Sequence, residues 1–456
     1  TFNEQPMLVE ISDAKRTLLK VSRTAGRLTL TQYPDTPSSA EFTMTLKNDH
    51  VTAIGLPVGR GWDLQYEEID GIRYLKRVES PLGAVENIRY KRVGHLLPAS
   101  GATQSLPYVI AHEVFVKQGQ PKVSKTYTYS DWNYLGHGVP SDPTDDGDPL
   151  YRAPKSYEYS CVESLIVGAK THTHTKRTYN KFHLLVSEVT TCGGSVASVT
   201  TDYHCEVGKP FTEQPAQFRM PKSQTRGYAN SVTGQKRTET TTTEFDAAGN
   251  LLSQVDASGV STQFEYYPAS DSEGCPKDPL GFIRFLKQKT VVPAAGGGAS
   301  TITRYRYALH PALEGSTLAS VQPVQESFLE LVDGVEILRS KVDLTYLSSP
   351  KDPTLHGVLQ QQSVTRNATT TRIEYSYELQ ETTLSLKNTA HGFDGTTSSS
   401  EQKLSTLSGL TVSERDADDA VIEHEYDKLG RRIRKTLAPG TAYASFTQWR
   451  YETAKG

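Results

Sequence analysis

Four aspartates in one short stretch are the first residues that can hold a metal ion. Asp142, Asp145, Asp146 and Asp148 surround Gly147. Calcium takes about six to eight oxygen ligands, so an aspartate-rich loop is a candidate site. The spacing of a calcium-binding loop and its closing glutamate are absent, and Asp, Pro and Gly also form ordinary exposed loops. We interpret the stretch as a solvated loop and predict no metal.

His172 and His174 are a second candidate pair of metal ligands. They lie two residues apart in a predicted strand and so point to the same face of a sheet. A metal would need a third ligand, which the sequence does not place. A hydrated strand face is the preferred interpretation.

The four cysteines lack the spacing of a zinc site. Cys161, Cys192, Cys205 and Cys275 include no C-x-x-C pair. Cys192 and Cys205 lie on the two arms of a predicted hairpin, and they can form a disulfide if the chain is exported. The alternative is that all four are free thiols.

No local motif identifies an enzyme. The nucleophile elbow, the His-Glu-x-x-His helix, the P-loop and the dinucleotide fingerprint are all absent. We predict neither catalysis nor a cofactor. Carboxylates are plentiful, and the sequence cannot pair them across a fold, so a β-rich hydrolase stays open as an alternative.

Charge and hydropathy exclude several partners. The chain has 49 basic and 52 acidic residues, a balance that argues against nucleic-acid binding. No apolar run approaches the roughly 18 residues of a membrane-spanning helix, so we expect a soluble chain without a membrane span. The sequence starts with Thr1 instead of Met and stops at Gly456 just after a strand-like aromatic run, so we expect a segment of a longer protein.

The stretch from His424 to Tyr451 has the pattern of a β-hairpin unit. Asp427 can accept backbone N–H groups of the following residues, and Gly430 can adopt the positive φ that such a turn needs. Tyr426 combines an apolar ring with a polar tip, which suits the end of a strand. Pro439 and Gly440 predict the next turn.

Partial copies of this unit occur upstream. Gly259 follows Gly249 by ten residues, as Gly440 follows Gly430, and Tyr90 follows Gly83 by the same seven residues that separate Tyr266 from Gly259. A looser copy extends from Tyr179 to Tyr203. The residues assigned to the repeat are Pro81, Gly83, Tyr90, Phe245, Asp246, Gly249, Gly259, Tyr266, Tyr426, Asp427, Gly430, Arg431, Pro439 and Gly440.

At these residues the chain resembles the YD-repeat family, also called RHS repeats. The segments Tyr129–Gly136 and Gly392–Thr396 add a resemblance to the larger RHS-containing toxins, including shell components of insecticidal toxin complexes. The resemblance implies a β-ribbon that spirals into a hollow shell around a toxic effector. It implies as partners the enclosed effector, neighbouring shell segments and subunits of a delivery machine or toxin complex.

The segment Asp278–Phe282 resembles the Asp-Pro-x-Gly motif with which RHS proteins end their shell and cleave themselves. The residues that follow this motif in the family are replaced here by Ile283–Lys287, and more repeats come after. We therefore interpret Asp278 as a turn residue and predict no self-cleavage.

The sequence predicts an all-β fold of repeated antiparallel hairpins that form a curved or spiralling sheet, part of an RHS-type shell. Residues 1–133 predict a β-rich strand array, residues 134–154 an exposed Gly/Pro/Asp loop and a structural break, and residues 155–456 the hairpin repeats. Threonine-rich runs suit strands, whereas Asn388 to Ser400 is polar enough for a surface loop. The hydrophobic content of 36% is typical of a thin, two-sided wall.

The leading interpretation is a structural shell segment of a bacterial toxin, secreted or delivered to a target cell. The first alternative is a cell-surface adhesin or carbohydrate-binding repeat protein, because exposed tyrosines can stack on sugars. The second is the β-rich hydrolase.

Overall fold

The computed structural model describes residues 7–13, 16–57, 59–98, 104–116, 119–140 and 147–452. Asp142, Asp145 and Asp146 of the candidate calcium loop lie outside these ranges. Within them the chain forms thirty strands and no α-helix. The all-β prediction is confirmed.

The first fourteen strands all precede the second of two short 3₁₀ helices. They are β1 Glu10–Ser12, β2 Thr17–Thr24, β3 Arg27–Gln32, β4 Ala40–Lys47, β5 His50–Gly55, β6 Gly61–Ile69, β7 Ile72–Glu79, β8 Val85–Leu96, β9 Ser105–Phe115, β10 Val123–Tyr129, β11 Glu158–Val167, β12 Lys170–Asn180, β13 Leu185–Cys192 and β14 Ser195–Tyr203. The 3₁₀ helices are Pro149–Arg152 and Phe211–Glu213.

The remaining sixteen strands follow the second 3₁₀ helix. They are β15 Pro221–Asn230, β16 Lys236–Phe245, β17 Leu251–Val255, β18 Ser261–Tyr266, β19 Leu286–Val292, β20 Ser300–His310, β21 Ser320–Val332, β22 Val335–Tyr346, β23 Leu359–Arg366, β24 Thr369–Leu379, β25 Thr383–His391, β26 Thr397–Ser405, β27 Thr411–Arg415, β28 Val421–Tyr426, β29 Arg432–Leu437 and β30 Ser445–Gln448.

All strands belong to one antiparallel sheet in which each strand pairs with its neighbours in sequence. In the described residues β1 pairs with β2 alone and β30 with β29 alone, so the sheet is an open ribbon. The threonine runs lie in β12, β16 and β24, where β-branched side chains suit a pleated surface. Lateral ladders thus satisfy the backbone without a second layer.

The polar segment from Asn388 to Ser400 is a hairpin, so the prediction of a surface loop there is wrong. Asn388 pairs with Ser400 in the ladder between β25 and β26, and the turn occupies only residues 392–396. Polar residues are compatible with these strands because the ribbon exposes both faces to solvent.

The predicted break between residues 134 and 154 is also corrected. Strands β10 and β11 pair directly, from Val123 with Val167 to Tyr129 with Cys161, so the sheet continues through this position. The described parts of the segment between them, residues 130–140 and 147–157, leave the ribbon, and we call them the excursion. The division of the chain into domains at this segment stays a prediction.

The excursion is not simply an exposed loop, because its apolar side chains make a buried cluster. Val139, Leu150, Ala153 and Tyr157 pack together, and Tyr159 of β11 packs against them. Leu150 has no exposed surface. The apolar residues of this segment are too sparse for the sequence to predict a core. They pack together because the excursion folds back onto the ribbon.

Cys192 and Cys205 are not joined by a disulfide, and all four cysteines are free thiols, the alternative that the sequence left open. Cys192 ends β13 at the hairpin turn, whereas Cys205 follows β14 at the opposite end. The nine residues of β14 separate them by about 30 Å. A disulfide needs Cα atoms within about 7 Å.

Candidate functional site

The turn between β28 and β29 combines the residues that the sequence assigned to it. The Oδ1 atom of Asp427 accepts the N–H groups of Leu429 at 2.9 Å and Arg431 at 3.0 Å. Gly430 donates to the Asp427 carbonyl at 2.9 Å and has a φ of +74°. Burial alone would raise the pKa of Asp427, but the hydrogen bonds from Arg431 and Leu429 and the charge of Arg431 lower it. The carboxylate therefore stays charged and holds the turn.

Two upstream turns have the same geometry. Asp246 and Asp256 each accept the N–H groups two and four residues ahead, at 2.8 to 3.0 Å. Gly249 and Gly259 have φ values of +85° and +86°. These are three-residue hairpin loops with a left-handed residue. Asp256 was missed in the sequence, although the Asp-x-x-Gly spacing that reveals Asp246 also applies to it.

The remaining assigned turn residues lie between other strand pairs. Gly83, two residues after Pro81, has a φ of +83° and donates to the Ser80 carbonyl at 2.9 Å, between β7 and β8. Gly440, next to Pro439, has a φ of +76° between β29 and β30. Whether the assigned residues are the signature of a repeat family stays a prediction.

Tyr426 bridges two strands at the point where their ladder ends. The last pair between β28 and β27 is Glu423 with Ser413. Tyr426 lies three residues after Glu423, and its hydroxyl donates to the Thr411 carbonyl at 2.8 Å. Thr411 precedes Ser413 by two residues. The phenol thus replaces the ladder partner that this carbonyl would otherwise lack.

Nine tyrosines have this same register and bond, with the hydroxyl 2.6 to 3.2 Å from a carbonyl of the preceding strand. Each lies three residues after the last residue of its strand that pairs with the preceding strand. All are on even-numbered strands or directly after β30, so they follow one edge of the ribbon, which we call the tyrosine edge. They are Tyr66, Tyr90, Tyr129, Tyr203, Tyr307, Tyr346, Tyr377, Tyr426 and Tyr451.

Two other assigned residues occupy the same position. Phe245 lies three residues after the Thr242–Ser223 pair, and Tyr266 three after the Gln263–Ser253 pair. Phe245, Tyr266 and six of the nine tyrosines come directly after a β-bulge. At each bulge the ladder to the following strand shifts register by one residue position. Such bulges bend and twist a strand. Bulges along one edge therefore favour a curved ribbon.

The ribbon returns on itself at a contact that we call the seam. Tyr33, in the turn after β3, donates its hydroxyl to the Leu407 carbonyl at 2.6 Å. Arg16 donates to Thr406 Oγ1 at 3.0 Å and to the Glu381 carbonyl at 3.5 Å. Residues 381, 406 and 407 lie at the tyrosine edge, whereas Arg16 and Tyr33 lie at the opposite edge. Strands β4 through β26 lie between the two loops joined by Tyr33.

A cavity of about 310 Å³ lies where the excursion meets the ribbon, and we call it the aromatic pocket. Its wall is made mainly of rings from β8, β10, β11, β12, the turn after β12 and the excursion. They are His95, Tyr129, Trp132, Tyr134, Tyr159, Tyr179 and His183. The rest of the wall is Asn133, Ser160 and Cys161. Several of these residues belong to the Tyr129–Gly136 segment that carried the resemblance to RHS toxins.

Burial favours the neutral forms of several groups in the wall of the aromatic pocket. Burial raises the pKa of Tyr129 to about 12 and also raises the pKa of Tyr159. Burial lowers the pKa of His95 and raises that of the Cys161 thiol. The two phenols, the His95 imidazole and the Cys161 thiol therefore stay in their neutral forms.

Asp148, His183 and Tyr159 form a hydrogen-bonded chain behind this wall. His183 Nε2 lies 2.6 Å from Asp148 Oδ2, and its Nδ1 lies 2.8 Å from the Tyr159 hydroxyl. Nε2 donates to the carboxylate, and Nδ1 shares the second hydrogen bond with the phenol. Because burial keeps the Tyr159 phenol protonated, the chain orients the rings instead of producing a tyrosinate nucleophile.

Two further contacts attach the excursion to the ribbon. Lys181, only 6% exposed, donates to the Ala153 carbonyl at 2.9 Å, and burial lowers its pKa. The Asn133 side chain donates to the Leu96 carbonyl of β8 at 2.9 Å. These bonds hold the pocket wall in place from both sides.

The other candidate sites do not assemble. His174 bonds Ser164 across the ladder at 2.8 Å, and the described residues contain no cluster of three or more metal-ligand side chains. Asp278 is buried, accepts the Leu280 N–H at 2.7 Å and pairs with Arg284 at 2.6 Å. Burial opposes its charge, but these bonds lower its pKa. Asp278 thus forms a turn with an ion pair, and no helix in the described ranges is long and apolar enough to span a membrane.

Comparisons with known proteins give structural likeness only. No family model and no curated protein matches the chain. The crystal structure of TcdB2-TccC3-TEV is similar with a TM-score of 0.36 and 10% identity, over 92% of this chain and 28% of that chain. The crystal structure of TcdB2-TccC3 has a TM-score of 0.26 and 10% identity, over 96% and 29%. The chain thus spans less than a third of either.

Proposed function

We propose that this chain is a structural segment of an RHS-type β-shell that encloses a toxic effector. The sequence resemblance suggests the family, and the geometry of the ribbon supports the mechanical role. A wall that encloses a cargo must be continuous and must satisfy its own backbone hydrogen bonds. The unbroken ladders from β1 to β30 meet that requirement.

The observation that carries the proposal is the seam. Arg16 and Tyr33 bind loops that come more than twenty strands later, and they join opposite edges of the ribbon. A ribbon whose later turn sits edge to edge on its first turn is a spiral wall. Such stacking also covers loop carbonyls such as those of Glu381 and Leu407.

In this proposal the partners are the effector and the neighbouring shell segments of a longer chain, together with subunits of a delivery machine or toxin complex. The protein would be secreted or delivered to a target cell and would act without catalysis of its own. The fixed geometry of the turns, such as that of Asp427 and Gly430, serves a wall whose shape must be reproducible.

The test is limited proteolysis of the chain in its full-length natural context. We expect a polypeptide outside residues 1–456 to resist trypsin in the wild type. In the double variant Arg16→Ala/Tyr33→Phe, which removes the seam bonds, the same polypeptide should be cut faster. Mass spectrometry of timed digests identifies the protected fragment.

The matched control is Arg366→Ala/Tyr443→Phe, which changes the same residue types at exposed positions away from the seam. It should digest like the wild type. Equal digestion of the wild type and the seam variant, or the absence of any protected polypeptide, would contradict the proposal.

A further inference from the structure

We propose that the aromatic pocket binds a compact organic cation, a quaternary or methylated ammonium group. The wall is composed largely of rings, and the faces of aromatic rings carry negative electrostatic potential. This inference concerns a binding site and does not depend on the shell function.

The composition of the wall excludes the usual binding modes for anions. Neither lysine nor arginine is among the residues that line the pocket, so an anion would have no charged partner. The wall likewise lacks a carboxylate that could neutralise a metal ion. A soft, bulky organic cation is the kind of charged ligand that aromatic ring faces can bind without a counter-ion in direct contact.

The charges behind the wall favour a positive ligand. The Asp148 carboxylate is hydrogen-bonded to His183, one ring away from the cavity, and its charge acts on Tyr159. The nearby Arg177 is paired through its Nε with Glu188 at 2.6 Å, which offsets its charge. The Asp148 carboxylate therefore contributes negative potential on this side of the pocket.

The pocket has an open rim and a buried floor. Trp132 and Tyr134 are 43% and 46% exposed, whereas His95 is 7% exposed. Trp132 is held by stacking on Tyr157, with ring centroids 4.8 Å apart. A volume of about 310 Å³ is near the lower end of the roughly 300–1,000 Å³ typical of ligand pockets, which suits a small head group.

The test is calorimetric titration of the chain with choline and with 3,3-dimethylbutan-1-ol, which has the same shape without the charge. We expect choline to bind about tenfold more tightly, the ratio that a cation–π contribution supplies. In Tyr134→Leu, which keeps apolar volume and removes a ring, that ratio should fall towards one.

The matched control is Tyr228→Leu, because Tyr228 is 48% exposed on β15 and is not among the residues that line the pocket. It should keep the full preference for choline. A structural defect in Tyr134→Leu would weaken both ligands equally, and the ratio would stay unchanged. Equal binding of the two probes to the wild type, tighter binding of phenol or methyl glucoside than of choline, or no binding at all would overturn the proposal.

Discussion

The regular hairpins from β15 to β30 and the excursion at residues 130–140 and 147–157 are stabilised in different ways. In the hairpins, apolar burial occurs in local pairs such as Ile302 and Leu329, which face each other across β20 and β21. In the excursion, Leu150 and Tyr157 belong to a contiguous buried cluster. A single-layer ribbon thus depends on bonds between adjacent strands, whereas the excursion depends on tertiary packing.

This difference predicts how far the destabilising effect of a substitution extends through the structure. A lost contact in the ribbon affects one turn or one strand pair, because each strand has only sequence neighbours as partners. A lost side chain in the excursion leaves a cavity that several residues share. Substitutions in the two regions should therefore differ in size.

The largest effect should come from Leu150→Ala. Leu150 is fully buried, so its truncation removes apolar contact and leaves a cavity, at a cost of about 2–5 kcal/mol. Urea unfolding measures the change in stability. Leu252→Ala is the control, since Leu252 is 40% exposed on β17 and should lose much less. Equal losses in the two variants would remove the distinction between cluster and ribbon.

An intermediate effect should follow from Gly430→Val and Gly249→Val. Both glycines have φ above +70°, a conformation that a β-branched residue adopts only with strain, so each change should cost about 1–3 kcal/mol. Thermal unfolding provides the measurement. Gly298→Val is the control because Gly298 has open space around its Cα and no positive φ. Unchanged melting temperatures at 249 and 430 would show that the turns do not determine ribbon stability.

The smallest effect should come from Tyr426→Phe. The ring remains, and only the bond to the Thr411 carbonyl is lost, which should cost about 1 kcal/mol. Hydrogen exchange of β27 and β28 should increase locally while distant strands keep their protection. Tyr443→Phe, at an 88% exposed position, is the control. A global rise in exchange would contradict the local character of the ribbon.

Sequence reasoning succeeded where the determinants are local. Threonine runs and alternating patterns identified β12, β16 and β24 as strands. It failed at Asn388–Ser400, because polarity indicates a loop only when one face of a strand must be buried. It also failed at Leu150, whose burial depends on residues that are distant in the chain.

The sequence by itself determined the all-β class and the chemistry available to each turn, because Asp427 and Gly430 act within five residues of one another. The tertiary structure alone decided which carbonyl each tyrosine reaches, where Arg16 and Tyr33 meet the later strands, and which rings enclose the aromatic pocket. The physical reason is distance along the chain. Contacts between residues hundreds of positions apart depend on the summed bend of every intervening strand, which no local pattern encodes.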